Sequence, residues 1–121
     1  MATKGYRGLI VWQKGMDVVI ATYGLTRSFP SDEKFGLISQ MRRASVSIPS
    51  NIAEGRKRGS DAEFKQFLRI AFGSAAELET QIEIACRLQF VSSDQTRGLV
   101  LLLDEVMRML NVMTSAESSD S

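Results

Sequence analysis

Four groups of residues are of types that do chemistry, and each has a plainer reading. Ser31-Asp32-Glu33-Lys34 spells the SxxK of acyl-transfer serine enzymes, in which a lysine can take the serine proton. No companion motif accompanies it, and a serine just after Pro30 is explained by capping the next helix. Glu77, Glu79 and Glu83 put carboxylates on one helix, but a di-metal bundle site also needs paired ExxH motifs. The GRKRGS stretch at Gly55 to Ser60 lacks the GxxxxGK spacing of a phosphate loop. Cys86, the single cysteine, reads as a small core residue beside a helix seam. The chain has no histidine, which removes the commonest general base and metal ligand together. Histidine-dependent zinc sites, Ser/His/Asp and Cys/His nucleophile systems and HExxH proteases are thereby excluded. The reading assigns no catalytic residue, no metal and no cofactor.

Cations remain as the candidate ligand contacts. The stretch RRASVSIPSNIAEGRKRG, Arg42 to Gly59, opens and closes with arginines. Arg42, Arg56, Lys57 and Arg58, with Lys65 and Arg69 further on, are exposed on a helical wheel or lie at a glycine-flanked turn, where they can meet the phosphates of RNA or DNA. No aromatic residue is interleaved with the cations of the Arg42 to Gly59 stretch, so the stacking platform of single-strand binders is expected to be missing and affinity to be modest and salt-sensitive. Net charge is only +1, unevenly spread. Residues 1–60 hold ten Lys/Arg against four Asp/Glu, and residues 61–121 five against ten. The two halves complement one another, within a subunit or between subunits.

These residues must be positioned by helices, because apolar residues recur at steps of three and four and nowhere alternate over a strand's length. Leu9, Trp12, Met16, Val19, Tyr23 and Thr26 line one face of a first helix. Leu37, Met41, Ala44, Ile48 and Ile52 continue the period across Pro49 in a second, with Ser31-Asp32 as its expected cap. Pro49 lacks an N–H, so this helix is expected to kink there, two shorter helices being the alternative. Ser60-Asp61-Ala62-Glu63 is a capping box that opens a third helix with the seam Phe64, Leu68, Ala71, Ala75, Leu78, Ile82 and Ala85. Ser92-Ser93-Asp94-Gln95 repeats the box before a fourth seam of Leu99, Leu102, Val106, Met109 and Met113. Short connections make neighbours antiparallel. The fold class is therefore all-α, an antiparallel up-down-up-down four-helix bundle of residues 1–114, with residues 115–121 a disordered polar tail. With no apolar run long enough for a bilayer and no apolar core after the basic start that would make a secretion signal, no membrane is expected and the cytosol is the default compartment.

The bundle carries more apolar surface than one core needs. With Asp104 set at zero, Asp104, Glu105, Arg108 and Asn111 occupy an arc of roughly 120°, and every other residue from Leu99 to Met113 is apolar. A core needs a stripe only a little over ~100° wide. Leu101 and Val112 fall inside the polar arc, at about 60° and 80°. Ile70, Ile84 and Leu88 of the third helix cluster within about 40° of one another, away from its seam. Exposed patches of this kind mark an interface with another chain. The expected partner is a second copy, through a head-to-tail ring contact or a twofold dimer on the fourth helix.

Beside the apolar seam of the second helix runs a polar one. Gln40, Arg43, Ser47, Asn51 and Glu54 fall between roughly 240° and 320° from Leu37, and none is a lysine. Directional hydrogen bonders in such a row suggest a structural network. The hairpin is expected to bring it alongside the third helix, with Arg43 paired to Glu77 or Glu79, and Ala44, Ser45 and Ser47 facing Gly73, Ser74 and Ala75.

Three blocks, VWQKGM at Val11 to Met16, FPSDEKFGLISQMRRASVSIPSNIAEG at Phe29 to Gly55 and FLRIAFGSAAELETQ at Phe67 to Gln81, resemble the bacterial four-helix-bundle family first known from proteins encoded in intervening sequences of the large-subunit ribosomal RNA gene. The resemblance runs roughly from Leu9 to Leu110. It implies a four-helix bundle assembled as a homopentameric ring, and it carries no catalytic residues. The chain is more remotely similar to the accessory variability determinant of diversity-generating retroelements, a strongly basic barrel that works with a reverse transcriptase and RNA; the charge here is near neutral. The polar positions that match are Arg43, Asn51, Glu54, Glu77 and Glu79. The expected function is a non-enzymatic scaffold or adaptor, pentameric rather than dimeric, with a nucleic-acid-binding accessory protein as its rival.

Overall fold

A computed structural model describes residues 5–115. Four helices, α1 (Ile10–Thr26), α2 (Leu37–Lys57), α3 (Asp61–Arg87) and α4 (Ser93–Ser115), account for nearly all of them, with short 3-10 turns at Tyr6–Gly8 and Ser31–Glu33. No strand occurs among the described residues. Each helix packs on the next and α4 closes on α1, while α2 and α4 do not touch, so these two occupy opposite corners of an antiparallel bundle. The tail expected from residue 115 lies outside the described residues, apart from Ser115, which ends α4.

Local chemistry sets the helix ends. At α4 the capping box is complete: Gln95 N–H donates to Ser92 Oγ at 3.2 Å and Ser92 N–H donates to Gln95 Oε1 at 2.9 Å. At α3 only half of it forms as expected. Glu63 N–H donates to Ser60 Oγ, but the Glu63 carboxylate accepts from the Ser60 hydroxyl instead of its backbone N–H. Ser31 and Asp32 do not cap α2. They form a separate turn, and the Glu33 carboxylate instead accepts from Leu37 N–H at 3.0 Å. The α2–α3 turn uses Gly59 at φ +92, a conformation glycine adopts without steric cost. α2 runs unbroken through Pro49, which overturns the alternative of two shorter helices.

The core is built largely as the periodicity requires in α2 and α3. Met41, Ala44, Ile48 and Ile52 meet Leu68, Ala71, Ala75, Leu78, Ile82 and Ala85, all buried. Helix α1 departs from expectation. Its buried line is Val11, Gly15, Val18, Thr22 and Thr26, whereas Met16 and Tyr23 are exposed. The helix is therefore turned by about one residue, or ~100°, from the seam the apolar residues suggest. Gly15 permits the rotation: a Cβ there would stand 3.4 Å from Ile48 Cγ2 and 3.5 Å from Pro49 Cβ, so α1 and α2 lie too close for any side chain larger than a methyl. The buried threonines satisfy their hydroxyls within the helix, Thr22 donating to the Val18 carbonyl at 2.8 Å and Thr26 to the Thr22 carbonyl at 2.9 Å. In α4 the inward line is Leu99, Leu103, Val106 and Leu110, with Leu102, Met109 and Met113 half-buried beside it.

Gln81 is a polar member of this core. Its amide nitrogen donates to Glu77 Oε2 at 3.4 Å, while Oε1 is buried with no donor among the described residues. An unsatisfied buried acceptor costs about 1–3 kcal/mol. Gln81→Met keeps the volume and removes that acceptor, so the denaturant midpoint should stay level or rise, by up to about 1 kcal/mol of stability. A loss larger than about 1 kcal/mol would show that Oε1 is satisfied in solution.

Candidate interaction surfaces

The six candidate phosphate contacts do not form one surface. Arg42 is half-buried between α1 and α2, where its Nε donates to Thr26 Oγ1 at 2.9 Å and its guanidinium lies 4.4 Å from the centre of the Tyr23 ring. It lies about 21 Å along the helix from Arg56 and ties α2 to α1. Arg56, Lys57 and Arg58 gather at the end of α2, and Lys65 and Arg69 follow on the first turns of α3. The expectation that no aromatic accompanies these cations is overturned. Arg56 lies 5.8 Å from the Phe64 ring, Arg58 5.0 Å from Phe67, and Lys57 5.9 Å from Tyr6. Folding supplies what sequence adjacency lacked: α3 reverses direction at Gly59 and lays its first phenylalanines beside α2, and the turn at Tyr6–Gly8 packs on α2 as well. Arg58 is engaged further, by Glu54 at 2.9 Å and Glu63 at 3.9 Å.

The polar row on α2 is split in the same way. Ser47 and Ser74 hydroxyls meet at 2.8 Å across the α2–α3 contact, and Asn51 Nδ2 donates to the Ser47 carbonyl and hydroxyl at 2.8 and 2.9 Å. Small residues therefore face one another there. Glu54 turns to Arg58. Gln40, Arg43 and Glu77 line an open groove of about 460 Å³ with Phe35, Ser39 and Ser74. The expected ion pair from Arg43 to Glu77 or Glu79 does not form among the described residues. Glu79 lies on the other flank of α3, about 140° from Ser74 and about 20° from Cys86. Cys86 Sγ sits 3.9 Å from Thr96 Oγ1 of α4, which identifies that flank.

Ile70, Ile84, Leu88, Leu101 and Val112 are all exposed, Leu101 at 63% and Val112 at 64%. Around them α4 ties its own charges together, Arg97 with Asp94 at 2.8 Å and Arg108 with Asp104 at 3.3 Å. A second apolar surface was not legible in the sequence. Phe35 is 89% exposed, Val46 lies along the same outer crest of α2, and Ile20 (69%) and Tyr23 face out from α1. Rotation of α1 exposes the latter pair. Phe35, Val46 and Tyr23 line an open groove with Lys34, Arg42 and Arg43. Among the described residues no helix is long and apolar enough to cross a membrane, and no three His, Cys, Asp or Glu side chains group as metal ligands.

No curated protein matches the sequence. A solved structure, that of a protein of unknown function from the S23 ribosomal protein family of Bacteroides thetaiotaomicron VPI-5482, superimposes with a TM-score of 0.78 at 23% identity, over 87% of this chain and 98% of that one. That likeness speaks for the bundle fold. The model of the 23S rRNA-intervening sequence protein family matches residues 7–112, nearly the whole bundle, and the chain belongs to that family.

Proposed function

We propose that this protein is a non-enzymatic, self-assembling helical bundle of the cytosol that acts as a scaffold or adaptor, a homopentameric ring rather than a dimer. The observation that carries the reading is the position of the exposed apolar side chains at opposite corners: Phe35 in the turn before α2 and Val46 on α2, Leu101 and Val112 on α4. A twofold contact needs one self-complementary patch, whereas two different patches on opposite sides suit a head-to-tail contact, which makes a ring when its rotation closes. Charge supports the same polarity. The α2 side carries Lys34 and Arg43, and the α3–α4 side carries Glu79, none of them in an ion pair among the described residues, while Glu83 beside it is paired with Arg87 at 2.9 Å.

Light scattering across a size-exclusion peak tests this, with absorbance at 260 and 280 nm recorded on the same peak. A ring of five chains of 13.4 kDa should give about 67 kDa with no excess absorbance at 260 nm. A mass of two chains would favour a twofold contact, and a monomer would overturn the assembly reading altogether.

A further inference from the structure

We propose that the end of the bundle where the Tyr6–Gly8 turn meets the C-terminus of α2 binds single-stranded nucleic acid, with Arg7 and Lys57 holding backbone phosphates and the Tyr6 ring stacking on a base. Residues about fifty positions apart in sequence converge here. Arg7 lies 5.4 Å and Lys57 5.9 Å from the centre of the same Tyr6 ring. Neither is in an ion pair among the described residues. The two exposed charges thus stand no more than about 11 Å apart, on either side of or beside one aromatic face. The turn that presents Tyr6 and Arg7 is held in place: Gln13 Nε2 donates to the Arg7 carbonyl at 2.9 Å, and the Tyr6 ring meets Trp12 edge-on at 5.2 Å. The site is thus built before a ligand arrives. Arg58 adds little, because Glu54 and Glu63 already balance it.

Phosphate contacts from exposed cations beside an aromatic face are the two parts of sequence-tolerant single-strand binding. Two contacts to a single strand predict a slope of log Kobs against log salt of about −1.4, each contributing roughly −0.7. The test is fluorescence anisotropy of a labelled 20-nucleotide mixed-sequence RNA, a DNA strand of the same sequence and its duplex, titrated with full-length protein between 50 and 200 mM salt. Arg7→Ala with Lys57→Ala should flatten the slope to near zero while leaving the helical circular-dichroism signal and the solution mass unchanged. Tyr6→Leu should keep the slope and weaken single-strand binding by about 5- to 100-fold. Arg58→Ala should change neither. Three results would each overturn the proposal: no binding at 50 mM salt, a slope indifferent to the Arg7 and Lys57 changes, or competition by inorganic polyphosphate as effective as RNA together with no loss in Tyr6→Leu. The last would make the site a general polyanion patch.

Discussion

Gly55→Ala is expected to lower stability by about 3 kcal/mol, whereas Gly15→Ala should leave it level or raise it. Both glycines lie inside helices and both are buried. Alanine in place of glycine in a helix interior is worth about 0.5–1 kcal/mol in its favour when there is room. At Gly15 the added methyl reaches Ile48 Cγ2 at 3.4 Å and Pro49 Cβ at 3.5 Å, ordinary contacts that fill space. At Gly55 it would come within 2.5 Å of Phe67 Cβ and 3.3 Å of the Phe64 carbonyl oxygen. A Cβ cannot swing aside as the tip of a long side chain can, so α2 and α3 must separate over the turns they share. Overpacking of this kind costs typically 1–3 kcal/mol, occasionally more, and here it strikes the junction that holds the α2–α3 hairpin at Gly59. In a domain of about this size the melting temperature should fall by roughly 10 °C or more. Thermal and urea melts of the two variants beside the wild type measure the contrast. Equal stability of all three would mean that α2 and α3 do not lie as close as Gly55 makes them.

That junction also shows which part of the fold a sequence can disclose. The α3 seam was legible because leucine, isoleucine and alanine carry its period without interruption, and burial follows apolarity there. In α1 burial follows shape. Gly15, Thr22 and Thr26 face the core, one because it has no side chain and two because their hydroxyls bond their own helix. A hydrophobicity pattern ranks Gly15 and Thr22 low, so the seam, although it ended correctly on Thr26, was set one residue off before it and Tyr23 was assigned inward when it stands exposed beneath Arg42. The interaction surfaces divide along the same line. Leu101 and Val112 could be found on a wheel, since they sit among charges on their own helix. The pairing of Lys57 and Arg7 around Tyr6 could not, since it depends on where the first turn lands against α2, a contact between segments far apart in sequence. The Arg43 pair failed for a related reason. Helical spacing placed Glu79 near the seam, but the three-dimensional contacts of Ser74 and Cys86 put it on the α4 side.

Leu101→Lys combined with Val112→Glu should abolish assembly and leave a folded monomer of 13.4 kDa. At 60% exposure or more these side chains add little to the bundle's own stability, and surface substitutions away from special features usually stay within about 0.5 kcal/mol. Glu105 and Arg108, one turn away, are already paired with Lys14 at 3.2 Å and Asp104 at 3.3 Å, so in the monomer each new charge is carried by water. Buried in a contact between copies, the same charges lose water without gaining partners, which costs several kcal/mol each. Phe35→Glu should give a monomer too if the α2 corner is the other half of the contact. Mixing the two variants then separates the symmetries. In a head-to-tail contact the intact α2 face of one meets the intact α4 face of the other, once, and growth stops at two chains, about 27 kDa or twice 13.4 kDa. In a twofold contact built on α4, Phe35→Glu alone would still assemble with itself, and the mixture would contain no heterodimer. An unaltered mass for the Leu101 and Val112 double variant would remove this pair from the interface and with it the head-to-tail account, because among the described residues of α4 only Val100, at 42%, is left as an exposed large apolar side chain.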